Sequence, residues 1–168
     1  MSVLHGSNLI AGQESSLGTV KLRSTAPASG EFFFARKGQG ATVNERPIRT
    51  SAGTELDFSR MVGPRPLVER LSPSPHDIVL HPRIGSLALR LCRVAQGSLD
   101  AAFAGGQSRD WDLAAANLIV QEADGNMTAL SGDALVYNRR EVAHGMLVAA
   151  GRDRHARIVE HFRRRPVP

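Results

Sequence analysis

The chain has 168 residues, of which 42% are hydrophobic and 22% charged, and its formal net charge is +5. That size leaves room for one domain with its own core, and the composition excludes disordered, collagen-like and membrane-spanning classes. The single cysteine, Cys92, excludes an intrachain disulfide framework.

Residues 1–18 are polar, rich in Gly and Ser and without a sustained period, so loose order is expected there. They carry neither a basic start nor an apolar run long enough for a signal peptide, and no stretch reaches the length of a membrane span, which predicts a cytoplasmic protein. Residues 19–23 alternate as a strand, with Val20 and Leu22 between Lys21 and Arg23. A turn is expected over 26–30. A strand follows over 31–36, with the aromatic run Phe32-Phe33-Phe34 expected to be buried. Lys37-Gly38-Gln39-Gly40 reads as a tight turn, 41–44 as a returning strand, and Asn44-Glu45-Arg46-Pro47 as the next turn. Together these make an antiparallel meander.

Three short segments, 56–61, 67–71 and 78–80, are separated by Pro64, Pro66, Pro73 and Pro75, and one strand or helical turn is expected in each. Residues 84–96 predict a helix: Ile84, Leu87, Ala88, Leu91, Val94 and Ala95 form one stripe, and Gly97 supplies the stop. Cys92 falls on that apolar face and reads as a buried, inert thiol. Residues 99–103 predict a strand, and 104–109 a Gly-rich loop. The next helix opens on Asp110-Trp111-Asp112. Leu113, Ala116, Ile119, Val120 and Ala123 recur along it at helical spacing. Asp110 is placed as its N-cap, and Asp112 in its first turn, where the helix dipole favours negative charge. A carboxylate held that rigidly can ligate a hard cation; equally, a first-turn Asp can serve only the helix. Strands are expected over 127–130 and 145–149, with a turn at Ser131-Gly132-Asp133 between them. A terminal helix is expected over 152–165, with Ile158, Val159 and Phe162 facing inward.

Much of the positive charge lies in that terminal segment, at Arg152, Arg154, Arg157, Arg163, Arg164 and Arg165. Nucleic-acid binders usually set an aromatic platform or a motif beside such a patch, and with one Trp and one Tyr this chain offers neither. A field that draws in a phosphorylated small molecule is the preferred use of the charge. The six histidines show no metal-ligand spacing and receive no role. No Gly-x-Ser-x-Gly, P-loop or CxxC pattern is present, which removes support for serine hydrolase, nucleoside triphosphatase and zinc-site readings.

Three stretches stand together in order. They are Gly30 to Ala41 with Asn44-Glu45-Arg46-Pro47-Ile48, then Pro82-Arg83-Ile84-Gly85-Ser86 running on to Ala101, then Trp111-Asp112-Leu113-Ala114-Ala115. In this arrangement residues 26–151 resemble the inositol monophosphatase superfamily, Mg²⁺-dependent, lithium-sensitive phosphomonoesterases that include the 3'(2'),5'-bisphosphate nucleotidases. The resemblance implies an α/β (α+β) fold of layered sheets and helices, matching the C-terminal part of that family's fold. Residues 1–25 form an unmatched segment and residues 152–168 a basic, helical tail. It also implies Asp112 as a Mg²⁺ ligand and Gly85 and Ser86 as substrate contacts. Those two open a helix whose free N–H groups suit a phosphate, although a Ser there can equally be a cap. Trp111 is expected to pack behind the metal site.

The family's Asp-Pro-(Leu/Ile)-Asp-Gly-(Ser/Thr) metal motif and the acidic residue preceding it have no counterpart in this sequence. Mg²⁺ demands an octahedral oxygen shell, which one Asp does not supply, so the expectation is an enzyme that is weak or inactive alone. The alternative is a non-catalytic interaction module, or half of a split phosphatase completed by an N-terminal half; a homo-oligomer is also compatible. Exposed apolar surface is expected on the meander. Family members that prefer inositol phosphates carry a Glu before the Trp-Asp. Here residues 103–109 contain no acid, and Arg109 suits a second phosphate instead. This favours 3'-phosphoadenosine 5'-phosphate over an inositol phosphate.

Overall fold

The structure is a computed structural model and describes residues 9–10, 21–26, 30–57, 59–71, 78–140 and 143–167. The expected loose order of residues 1–18 lies outside the described residues except at 9–10, as does most of the 26–30 turn.

The first sheet is the predicted meander. Its strands β1 (Leu9–Ile10), β2 (Lys21–Ala26), β3 (Glu31–Arg36), β4 (Ala41–Val43) and β5 (Arg46–Ile48) lie in sequence order and pair antiparallel. The turn expected through Pro47 is shorter. Only Asn44 and Glu45 leave the strands, with φ of 45° and 67°. Positive φ at both central residues gives the type I′ twist that a two-residue hairpin favours. The Asn44 side chain also accepts the Phe32 N–H at 2.8 Å. Pro47 is tolerated inside β5 because that strand forms an edge. The aromatic run does not bury as a block. Phe33 and Ala35 are fully enclosed, whereas Phe32, on the opposite face, remains 36% exposed. The period of a strand sends neighbouring side chains to opposite faces.

The rest of the described residues build a second five-stranded sheet, a two-stranded ribbon and four helices. In chain order come β6 (Arg60–Val62), α1 (Arg65–Glu69), β7 (Val79–Leu80), α2 (Leu87–Ala95), β8 (Ala101–Ala104), β9 (Ser108–Arg109), α3 (Asp110–Glu122), β10 (Gly125–Ala129), β11 (Ala143–His144), β12 (Leu147–Gly151) and α4 (Arg152–Arg164). The second sheet has the order β10-β12-β8-β6-β7. Its β6–β8 and β6–β7 pairs are parallel and the other two antiparallel. The strands expected over 99–103, 127–130 and 145–149 form two residues later, two residues earlier and two residues later, respectively.

Layering follows from alternation along β8 and β12. Ala102, Ala104, Leu147 and Ala149 join α2, α3 and the inner face of the first sheet in one core. Ala101, Phe103, Val148 and Ala150 face the other way, onto α1 and α4. The order is therefore sheet, helix pair, sheet, helices, the mixed α+β architecture expected from the sequence. No helix among the described residues is long and apolar enough to cross a membrane.

Helix α2 is shorter than predicted. It starts at Leu87, because Ser86 is its N-cap and accepts the Leu89 N–H at 3.3 Å. Gly97, at φ +75°, turns the chain away after it, and a Cβ there would sit 3.0 Å from the Arg49 carbonyl oxygen. Cys92 is fully buried on its apolar face, as expected.

Helix α4 buries Ile158, Val159 and Phe162 as predicted, but also Arg154 and His155. Arg154 is therefore an interior rather than a surface charge. It donates to the Glu55 carbonyl at 2.9 Å, to Ser51 Oγ at 3.0 Å and to the Ala52 carbonyl at 3.2 Å, tying the helix to the segment after β5.

Candidate functional site

The predicted site residues lie where helices α2 and α3 begin and where the loop after β8 enters α3. That loop is held from the side. β9 pairs with β11, placing Arg109 opposite Ala143 and Ser108 opposite His144, and the Gln107 N–H donates to the His144 carbonyl at 2.9 Å.

Asp110 is not the N-cap of α3. Arg109 takes that position, without a side-chain cap, and Asp110 is the first helical residue. Its carboxylate turns away from the helix instead. Oδ1 pairs with His144 Nε2 at 2.6 Å, and Oδ2 accepts the Asn138 N–H at 2.8 Å. The hydrogen bond from His144 holds the Asp110 carboxyl below its ordinary range, against a smaller opposing effect of burial. Tyr137 packs its ring 5.4 Å from that of His144, and burial pushes its hydroxyl up to about 12. Sequence reasoning gave His144 no role. Its partner is 34 residues away, so no local spacing could reveal the pair.

Asp112, the predicted metal ligand, is exposed in the first turn of α3. No group of three His, Cys, Asp or Glu side chains gathers to hold a metal ion among the described residues. One carboxylate does not fit Mg²⁺, which needs a near-octahedral oxygen shell and sheds water reluctantly.

Trp111 does not pack into the interior as expected. It is 53% exposed, and the Arg109 guanidinium lies 5.2 Å from its ring centroid. The helix turns its Leu113 and Ala116 face to the core, which leaves Trp111 on the outside. Arg109 is thus engaged with an indole and also stands at the surface. Gly85 is exposed, and a Cβ built on it would touch nothing within 4 Å, so a ligand can approach it closely. The Ser86 hydroxyl is occupied by its capping bond.

A cleft of about 430 Å³ opens at the ends of β6 and β8, beside the start of α2. Ligands in α/β folds characteristically bind outside the carboxyl ends of parallel strands. The cleft carries His81, Arg83 and Arg90 between walls that include Val62, Pro64 and Gly105. It therefore joins the segment leading to Gly85 with the loop leading to Asp112. Gly85, Ser86, Arg109 and Asp112 all lie outside its lining.

Residues 11–166 match the model of the inositol monophosphatase family. The chain is 34% identical over 117 residues to a putative Nus factor SuhB of Neisseria meningitidis serogroup A, covering 64% of this chain and 44% of that protein. It is 36% identical over 140 residues to a fructose-1,6-bisphosphatase/inositol-1-monophosphatase of Methanothermobacter thermautotrophicus, covering 79% and 49%. Among solved structures, the extragenic suppressor protein SuhB of Bartonella henselae superposes with a TM-score of 0.70 at 26% identity, over 84% of this chain and 58% of that one. The inositol monophosphatase of Anabaena gives 0.70 at 26% identity, over 88% and 59%. The chain spans about half the length of the curated relatives it matches.

Proposed function

The chain belongs to the inositol monophosphatase family, and from that premise we propose that it carries the substrate-side portion of a phosphomonoesterase, turning over phosphate esters weakly or not at all by itself. The observation behind this reading is the isolation of Asp112, an exposed carboxylate at the start of α3 with no cluster of further acids among the described residues. In this reading Asp112 supplies one of several ligands to Mg²⁺, and the others come from a complementing N-terminal half. Residues 26–151 form the family portion, with residues 1–25 and 152–168 flanking it, and the protein works in the cytoplasm. Gly85, Ser86 and Arg109 contact a phosphorylated small molecule. The acid-free loop of residues 103–109 favours 3'-phosphoadenosine 5'-phosphate over inositol 1-phosphate, because a ring rich in hydroxyls would lose its acceptor there.

The second reading, a non-catalytic interaction module, draws on the half-exposed Phe32 on the outer face of the first sheet and on relatives named as Nus factors. One experiment separates them: phosphate release by the purified chain from both substrates, with Mg²⁺ and with Mg²⁺ plus Li⁺. The proposal expects little or no release alone and lithium-sensitive release once a polypeptide with the family's Asp-Pro-x-Asp-Gly motif is added. Full activity of the single chain, lost in Asp112→Asn, would overturn the first part. No activity and no association with such a polypeptide would favour the module.

A further inference from the structure

The cleft beside α2 has a charge pattern that the site residues above do not use. Arg90 lies in the first turns of α2 and is half-buried. One of its nitrogens, Nη1, donates to the Phe103 carbonyl at 3.2 Å, and its buried Nε finds no partner. Arg83 enters the same cleft from the segment before Gly85. Neither guanidinium is paired with a carboxylate among the described residues, whereas Arg60 pairs with Asp100, Arg65 with Glu69, Arg93 with Glu31 and Arg164 with Glu160. No acid among the described residues lines the cleft.

Two guanidiniums facing one cleft without an anion repel each other, and a partly buried charge with an unsatisfied N–H is costly. The Arg90 guanidinium shows it: burial first, and the charge of Arg83 second, both disfavour its protonated form. An oxyanion seated between the two would reverse both effects and satisfy Nε. His81 stands at the rim; its Nδ1–H is given to the Pro82 carbonyl at 3.0 Å, so in the neutral ring Nε2 is an acceptor and the donors to an anion are the two guanidiniums. Val62, Gly63 and Pro64 supply low-polarity walls, where a charge-assisted hydrogen bond gains strength.

We propose that this cleft is a phosphoryl-binding pocket in which Arg83 and Arg90 hold one phosphate group of the ligand between them. The proposal rests on the reading above for the class of ligand, a phosphorylated small molecule, but on neither Mg²⁺ nor turnover. Gly105 lines it, and Arg83 precedes Gly85 by two residues, so a second phosphate on a ligand held at the start of α2 would reach it.

The test is calorimetric titration of the purified chain with inorganic phosphate, in EDTA and at constant ionic strength against chloride. Saturable binding is expected, weakened about tenfold or more in Arg83→Gln and in Arg90→Gln, as expected for loss of a charged hydrogen-bond donor. Arg164→Gln, which removes the same charge from α4, is expected to bind as the parent chain does. Arg83 is exposed and makes no side-chain hydrogen bond or ion pair among the described residues, so its variant keeps the test valid if Arg90→Gln unfolds. Absence of saturable binding by the folded chain, or equal weakening in all three variants, would overturn the pocket. Because no metal is present, binding is read apart from turnover: a chain that binds phosphate yet releases none from an ester even with Mg²⁺ and the complementing polypeptide would refute the phosphomonoesterase reading alone.

Discussion

Asp110 and His144 are bonded at 2.6 Å across 34 residues of sequence, and the bond closes β11 and the Tyr137–Asn138 corner onto the start of α3. The side chains involved are largely enclosed, with 14% of Asp110 and 6% of His144 accessible. Asp110→Ala should lose both the imidazole bond and the Asn138 N–H bond, and the chain should lose about 2 kcal/mol of stability in urea unfolding. Hydrogen exchange should quicken at the Gln107, Asn138 and His144 amides and stay unchanged in α4. An unaltered exchange pattern would show that the pair holds nothing in place.

Asp100 gives an acid limit to stability. Burial alone would raise its carboxyl, but hydrogen bonds from Arg60 and Ser51 outweigh burial and hold it at about 2, against an ordinary 3.8. The folded state therefore binds fewer protons than the unfolded one between those values. The stabilisation is complete above pH 4 and drains as pH falls toward 2, a loss of about 2 kcal/mol. Urea midpoints at pH 5 and pH 2.5 should converge more closely in Asp100→Asn than in the parent chain.

His155 acts at higher pH. Burial lowers it from 6.5 to about 4. Thr128 Oγ1 donates to the Ala129 carbonyl at 2.7 Å, so it accepts from His155 Nε2 at 3.0 Å, which fixes the Nε2–H tautomer. The unfolded chain takes up a proton that the folded chain refuses. Stability is whole above pH 6.5 and falls by about 3 kcal/mol as the pH drops toward 4. In His155→Gln the melting temperature should vary much less between pH 7 and pH 4.5; an unchanged slope would assign the loss to other groups.

Ser86 has two candidate roles that substitution can part. Ser86→Ala removes the cap of α2 and should cost about 1 kcal/mol. Ser86→Asp keeps a capping oxygen but adds a negative charge beside Gly85. If this helix start meets phosphate, Ser86→Asp should melt near the parent chain yet bind 3'-phosphoadenosine 5'-phosphate about tenfold more weakly. Equal affinity would leave Ser86 as a cap only.

Asp112 should be dispensable to the fold. It is exposed, and its neutralisation removes only a favourable charge in the first turn of α3, so Asp112→Asn should change stability by about 0.5 kcal/mol. For the same reason millimolar Mg²⁺ should not raise the melting temperature of the single chain. A clear rise that Asp112→Asn abolishes would mean that further ligands assemble around it.

The elements were legible because each wrote a local period. The β3–β4 alternation, the apolar stripes of α2 and α3 and the inward face of α4 are properties of neighbours two to four residues apart, and local sterics and burial act at that range. Trp111 was misplaced because an aromatic beside a buried stripe looks the same in sequence whether it falls just inside or just outside the stripe. The block of three Phe was overestimated because strand alternation puts Phe33 on the face packed into the core and Phe32 on the other, where among the described residues no helix encloses it.

By itself, then, the sequence determined the layered α+β fold, the family and the exposed Asp112 in the first turn of α3 as the candidate metal ligand. The tertiary structure decided what Asp110, Arg154, His155 and the Arg83–Arg90 cleft do. Their partners lie 27 to 103 residues away for the first three, and the cleft forms only once β6 and the loop after β8 meet α2. A buried polar group must be satisfied by whatever the fold brings next to it, and no local pattern names that neighbour in advance.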